Sequence, residues 1–167
     1  MRRTLSVLAV SLMLIGVVAA PAAATVEREP VSLVMEPVAL LDWGEYRETG
    51  QVIHTDGQVF LMRVEGHEWF DGWITVTISS SINAVTLKGT GHTTFEIASS
   101  NHPDSGWTGK SVIKYWDFDF NTGFGSSESH IVGFGYGDFE GMQLRGNDTN
   151  DLVLFVHNFE GEVKVLP

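Results

Sequence analysis

Apolar side chains recur at every second position along this chain, and that period constrains the fold more than any other sequence feature. Within residues 73–79, Ile74, Val76 and Ile78 alternate with tryptophan and hydroxyl-bearing residues. Such alternation is typical of a β-strand with one buried face, because successive side chains of a strand point to opposite sides. The 3.6-residue period of an amphipathic helix is not sustained after residue 31. The sequence therefore predicts an all-β protein.

The strand pattern appears in many short segments that turn-forming residues separate. The predicted strands cover residues 31–41, 45–55, 58–65, 73–79, 85–97, 111–120, 129–136, 140–146, 152–156 and 162–166. The predicted turns are residues 55–57, 70–72, 102–106, 121–123, 146–149 and 160–161. In 111–120, the side of the strand with Trp116, Phe118 and Phe120 is predicted to face the core. Recurring turns indicate antiparallel neighbours, which either stack into a sandwich or close into a barrel.

Glycine favours the barrel over the sandwich. The chain has 18 glycines, and several lie inside strand patterns: Gly89, Gly91, Gly123, Gly125, Gly133, Gly135 and Gly137. Alternate glycines remove the side chains from one face of a strand, which relieves crowding inside a narrow barrel and lets strands bend. We therefore expect a single antiparallel β-barrel of about eight strands.

The first 24 residues have the pattern of a secretory signal peptide. Arg2 and Arg3 precede an apolar run at residues 5–20, and alanines at 22–24 give the small-x-small pattern that signal peptidase recognises. The run is shorter than the roughly 20 residues of a membrane-spanning helix. We expect cleavage near Thr25, a flexible leader at 25–30, a β-barrel domain at 31–167 and a secreted protein.

Charge and cysteine content exclude several classes of partner and site. The formal net charge is −11, with 21 acidic residues against 10 basic ones, and loss of Arg2 and Arg3 makes the mature chain still more acidic. Nucleic acids and anionic membranes select for Lys and Arg, so neither is an expected partner. Without cysteine there is no disulfide and no thiolate site, and we expect no cofactor.

Two glycine-rich stretches resemble motifs of a known superfamily. Residues 133–146 have the pattern G-x-G-x-G-x-F-x-G-x-x-x-x-G, and residues 89–95 have the pattern G-x-G-x-x-x-F followed by a tryptophan segment at 106–110. Both are similar to paired strands of allene oxide cyclase-like barrels, which include plant dirigent proteins and small secreted bacterial proteins of unknown function. The resemblance spans about residues 49–156. It implies an eight-stranded antiparallel barrel whose lumen holds a hydrophobic ligand, often in an oligomer.

Carboxylates and imidazoles on a shared strand face are the candidates for acid–base chemistry. His92 and Glu96 share one face of the strand at 85–97. Glu128 and His130 are two residues apart and so share one face of an extended segment. Such groups matter to catalysis if their face is the lumen. The interpretation without catalysis, in which these histidines are structural or on the surface, is favoured.

Acidic residues at two-residue spacing are the weak candidates for a metal site. Asp117, Asp119 and Asn121 share one strand face, which could bind calcium, but the glycine and glutamate of an EF-hand are absent. A second cluster, Asp148, Asn150 and Asp151, is predicted to lie in a surface loop. Solvated surface is the favoured interpretation of both clusters, and no metal is expected.

Tryptophans beside predicted turns and glycines of the predicted lumen are the candidates for ligand contact. Trp69, Trp73 and Trp107 could stack on sugar rings, whereas Gly91 and Gly135 would leave room in a lumen. The leading expectation is non-catalytic binding of a small apolar molecule in the lumen, or a structural role outside the cell. The alternatives are a cyclase or dirigent-like isomerase, and a carbohydrate-binding module. A small hydrophobic molecule is the expected partner, and a homo-oligomer is compatible with the sequence.

Overall fold

Nine antiparallel strands form one sheet in the computed structural model, which describes residues 27–121, 124–151 and 156–166. The strands are β1 (Arg28–Asp42), β2 (Glu45–Thr49), β3 (Val52–Glu65), β4 (Gly72–Asn83), β5 (Lys88–Ser99), β6 (Gly106–Asp119), β7 (Phe124–Tyr136), β8 (Met142–Asp151) and β9 (Val156–Val165). A single 3₁₀ turn, Gly137–Phe139, joins β7 to β8. The predicted all-β class is confirmed. The predicted signal peptide at 1–24 lies outside the described residues.

The sheet closes on itself through β1. Strands β3 to β9 each pair with the next in sequence, and β1 pairs with β9 over Arg28–Met35 and with β3 over Val34–Asp42. This gives a ring of eight strands, and β2 continues alongside β3 where β1 ends. The prediction of a barrel of about eight strands is therefore confirmed. β1 begins at Arg28, within the segment that we expected to be a leader.

Three predicted turns lie inside strands. Residues 55–57 form a bulge in β3, while 146–149 and 160–161 fall within β8 and β9. Gly146 and Gly161 are opposite each other, and a Cβ on either would collide with the ring of Phe159. These glycines therefore serve close packing of an inward phenylalanine instead of chain reversal.

The predicted orientation of residues 111–120 is wrong for the part of β6 that precedes its bulge, residues 111–116. Ser111, Ile113 and Tyr115 face inward, whereas Val112 and Trp116 are 52% and 37% exposed. The pairing with β7 shifts between Trp116 and Asp119, where Asp117 has a φ of 54°. This bulge inserts an extra residue and reverses the alternation, so Phe118 and Phe120 line the interior after all.

Stacked aromatic rings close one end of the barrel. We call Phe70, Trp107 and Phe139 the aromatic plug; all three side chains are buried. The Trp107 ring stacks on Phe70 with centroids 4.7 Å apart and on Phe139 at 5.5 Å. The Trp107 indole N–H donates to the backbone oxygen of Trp69 at 3.3 Å, which satisfies its buried polar atom. The plug fixes the base of the barrel interior.

Candidate functional site

A cavity of about 280 Å³ occupies the barrel beyond the aromatic plug, and we call it the lumen cavity. It lies towards the end of the barrel where β4 turns into β5 and β6 turns towards β7. Trp43 and Tyr46, which are 76% and 60% exposed, are part of its lining, so it reaches the surface there. Its volume is near the lower end of the range for small-molecule sites, about 300 to 1,000 Å³.

One wall of the lumen cavity is mainly apolar. It consists of inward side chains of β1, β3 and β4. On β4, the predicted alternation of residues 73–79 is confirmed. The larger apolar members are Met35, Phe60, Met62, Ile74, Val76, Ile78 and Ile82. Burial of apolar ligand surface against such a wall is favourable by about 25 cal/mol per Å².

The wall formed by β5 to β9 carries small polar side chains next to larger apolar ones such as Phe95, and we call it the polar wall. Thr93, Ser111, Ser127 and Ser129 are all buried and line the lumen cavity on β5, β6 and β7. The hydroxyls of Thr93 and Ser111 form a hydrogen bond of 2.7 Å. Because these side chains are short, they leave space where larger side chains fill the smallest barrels.

An aspartate–histidine pair lies in this polar wall. Asp148 on β8 is only 5% exposed, and its Oδ2 is 2.8 Å from Nδ1 of His157 on β9. A carboxylate can only accept, so His157 Nδ1 carries the hydrogen of this bond. Ser129 Oγ adds a long contact of 3.5 Å to Oδ2. Asp148 Oδ1 has no hydrogen-bond partner among the described residues.

Asn150 places a second acceptor two residues along the same strand face. Its Nδ2 donates to the backbone oxygen of Gly125 at 3.3 Å, which fixes the orientation of the amide because a carbonyl can only accept. The remaining oxygen, Asn150 Oδ1, has no donor within the described ranges. β8 therefore holds two unpartnered buried oxygens on residues that line the lumen cavity.

Tyr115 completes the ionisable groups of the polar wall. Burial, followed by the negative charge of Asp148, raises the pKa of Tyr115 above its ordinary value. The phenol is therefore neutral at physiological pH and keeps a hydrogen to donate. A carboxylate, an imidazole and a phenol thus share one side of the cavity, which can hold a polar group of a ligand or move a proton.

Asp148 and Asn150 were wrongly predicted to lie in a solvated surface loop, because glycine, asparagine and aspartate usually mark turns. The predicted surface loop is in fact the second half of β8, which continues to Asp151. One signal was available: Leu144, Gly146, Asp148 and Asn150 keep a strict two-residue period. A polar residue in the inward register of a barrel strand indicates a lumen that contains more than hydrocarbon.

The four residues proposed for acid–base chemistry all lie on the outer face. His92 and Glu96 are exposed on β5, and Glu96 accepts a hydrogen bond of 3.4 Å from the Tyr136 hydroxyl. Glu128 forms an ion pair of 3.3 Å with Lys114, and exposed His130 lies 3.0 Å from Asn147 Oδ1. None of them lines the lumen cavity, because their strand parity is opposite to that of Thr93 and Ser129.

The three candidate tryptophans do not form one surface. Trp107 has 0% exposure in the aromatic plug, so its faces are not available to a sugar ring. Trp69 is partly buried against Phe139, whereas Trp73 is 46% exposed on the outer face of β4. Both lie near the plug end, away from the lumen cavity.

The two candidate glycines face packed side chains. A Cβ on Gly91 would lie 3.1 Å from the ring of Tyr115, so this glycine accommodates the tyrosine. A Cβ on Gly135 would collide with the backbone of Phe139 at the closed end. Neither glycine is part of the lining of the lumen cavity.

The candidate metal residues lie at the β6 bulge. Asp119 Oδ1 accepts hydrogen bonds of 2.9 Å from the backbone and side-chain nitrogens of Asn121. The bulge at Asp117 interrupts the alternation on which a shared face depends. Across the described ranges, no three His, Asp or Glu side chains are grouped so as to hold a metal ion.

Fold and cavity together define a closed antiparallel β-barrel with a mixed apolar and polar internal cavity. No family model, curated protein or solved structure matches the chain. The motifs that resemble allene oxide cyclase-like barrels lie on β5–β6 and β7–β8, and membership of that superfamily stays a prediction. Among the residues that the structure describes, no helix has the length and apolar character needed to cross a membrane.

Proposed function

We propose that this protein binds a small, largely apolar molecule in its lumen cavity. The observation that carries the proposal is the cavity itself, about 280 Å³ between the aromatic plug and the exposed Trp43. Concave sites with a mainly apolar lining and a few polar groups are the usual form of small-molecule sites. Export by the signal peptide predicted at residues 1–24 would place this binding outside the cytoplasm.

The apolar wall supplies the affinity in this proposal, and the polar wall supplies orientation. Asp148 on β8 lies across the barrel ring from Val76 and Ile78 on β4. A ligand that covers the aliphatic side chains leaves its polar end towards the serines and Asp148. Small side chains on β7 and β8 keep the interior from being filled by the protein.

Ethylbenzene is a suitable neutral probe, and the substitution Val76→Trp should abolish its uptake. Val76 is half-buried in the lining, so an indole at this position fills the space that the probe needs. Binding is measured by isothermal titration calorimetry and by the thermal midpoint. A ligand at a hundredfold excess over its dissociation constant adds about 2.7 kcal/mol to the free energy of unfolding.

Thr75→Trp is the matched control, since Thr75 is the neighbouring residue on the exposed face of the same strand. This variant should bind ethylbenzene as the wild type does. Failure of the folded wild-type protein to bind would contradict the proposal, and so would equal binding by the two tryptophan variants.

Acid–base isomerisation in the lumen is the second candidate function, and the Asp148–His157 pair of 2.8 Å favours it. The aspartate orients the imidazole, His157 Nε2 is the base, and the neutral Tyr115 hydroxyl is the acid. This places the chemistry on residues other than His92 and Glu96. An enolisable ketone of similar size, 4-phenyl-2-butanone, should then incorporate deuterium from heavy water faster with the wild type than with His157→Gln. Equal rates would leave ligand binding alone.

A further inference from the structure

We propose that the lumen cavity selects apolar molecules that end in an ammonium group, with that group held at Asp148. The inference rests on the proposed function, because it names the chemical class of the ligand that the same cavity takes. It goes further by assigning a charge preference to a cavity that apolar volume alone would leave unselective.

Asp148 and Asn150 supply the first argument, because both line the lumen cavity and each keeps one oxygen without a donor. Buried acceptors that lose water without gaining a donor cost about 1 to 3 kcal/mol each, and charged ones cost more. Neither oxygen can donate, so a ligand satisfies them only by supplying hydrogens. An ammonium group has three hydrogens and no lone pair, which matches a wall of acceptors.

The charged side chains that line the lumen cavity also favour a cation. The described residues that line the lumen cavity include the carboxylate Asp148 but no Lys or Arg. His157 gives Asp148 one hydrogen bond through Nδ1, and the Asp148 carboxylate attracts an added cation and repels an added anion at short range. The overall charge of −11 acts in the same direction.

The geometry of the two walls supplies the third argument. Asp148 and Asn150 lie on β8, whereas Ile74 and Val76 lie on β4, and three strands lie between β8 and β4 in either direction around the eight-strand ring. Asp148 and Asn150 are therefore on the side of the ring opposite the aliphatic residues of β4. A molecule with an apolar body and a cationic end spans the cavity with both parts matched.

A matched series of probes tests the charge preference. Ethylbenzene, 2-phenylethanol, 2-phenylethylammonium and 3-phenylpropionate share one apolar body and differ in the terminal group. Calorimetric titration at neutral pH should give the ammonium compound an affinity roughly tenfold to a hundredfold above that of the alcohol, with the carboxylate weakest. Equal affinities of the ammonium and carboxylate compounds would overturn the inference while leaving uptake of ethylbenzene, and so the proposed function, intact.

Asp148→Asn tests the residue, since it removes the charge and keeps the shape. The variant should bind 2-phenylethylammonium no better than 2-phenylethanol and should retain ethylbenzene. Glu128→Gln, which removes one negative charge from the exposed face of β7, should keep the wild-type order of affinities. An unchanged ammonium preference in folded Asp148→Asn would overturn the assignment. If the wild type binds none of the four probes, both the proposed function and this inference fail.

Discussion

At the scale of single residues, the ionisation of Tyr115 reports on the buried charge of Asp148 in the lumen cavity. Burial and the charge of Asp148 raise the pKa of Tyr115 in the folded state, whereas an unfolded tyrosine ionises near pH 10. The unfolded chain therefore loses this proton first as the pH rises. The free energy of unfolding should be unaffected by this group below about pH 10, and should fall above it by up to about 1.4 kcal/mol per pH unit.

Urea unfolding on both sides of that pH measures the effect. Tyr46 and Tyr136 also have raised pKa values, so only part of the total slope belongs to Tyr115. Tyr115→Phe should remove that part, and Asp148→Asn should reduce it because the second cause of the shift is gone. An identical alkaline slope in Tyr115→Phe and the wild type would contradict this account.

Some residues of the lumen cavity could be predicted from the sequence, and others could not. The inward aliphatic residues Ile74, Val76 and Ile78 followed directly from their period. Asp148 did not, because in a local window an aspartate next to asparagine and glycine is typical of a turn. Its burial is decided by the partner it meets on another strand, His157, and no local window contains that contact.

At the scale of strands, the facing pair Gly146 and Gly161 tests whether glycine is required by packing. A Cβ on Gly146 would meet both the ring of Phe159 and the backbone oxygen of Glu160. Gly146→Ala should therefore lower the free energy of unfolding by about 1 to 3 kcal/mol. Thr149→Ala, on the exposed face of the same strand, is the control and should change it by under about 0.5 kcal/mol. Equal midpoints for the two variants in urea would show that β8 and β9 have room to adjust.

The presence of β4 and β5 was predictable from their alternation, although the predicted bounds of 73–79 and 85–97 differ from the observed ones by up to four residues. Side-chain orientations beyond a bulge were not predictable, because one inserted residue reverses every later orientation in the strand. Asp117 carries no sequence mark that separates a bulge from a regular strand residue, although its positive φ is one that aspartate tolerates. The two orientations of β6 follow from that one residue.

At the scale of the whole molecule, closure of the ring could be argued only indirectly from glycine content. It depends on β1, whose first half pairs with β9 and whose second half pairs with β3. β9 is far from β1 in the sequence, so no local periodic pattern reports that the two strands pair. The lumen cavity is likewise a property of the closed ring, since its walls belong to strands far apart in sequence.

The barrel should therefore be unequally stable along its axis, and β6 spans both parts. Residues 106–110 lie beside the aromatic plug, where Trp107 stacks on two rings, whereas 113–119 border the lumen cavity and contain the bulge. Amide hydrogens exchange through local opening, which is easier where fewer side chains pack against the strand. Hydrogen exchange followed by mass spectrometry should show slower exchange at 106–110 than at 113–119. Ethylbenzene should slow exchange at 113–119 selectively, because it supplies the missing packing. Equal exchange in both halves, or a uniform response to the probe, would mean that the cavity is not the least stable part of the barrel.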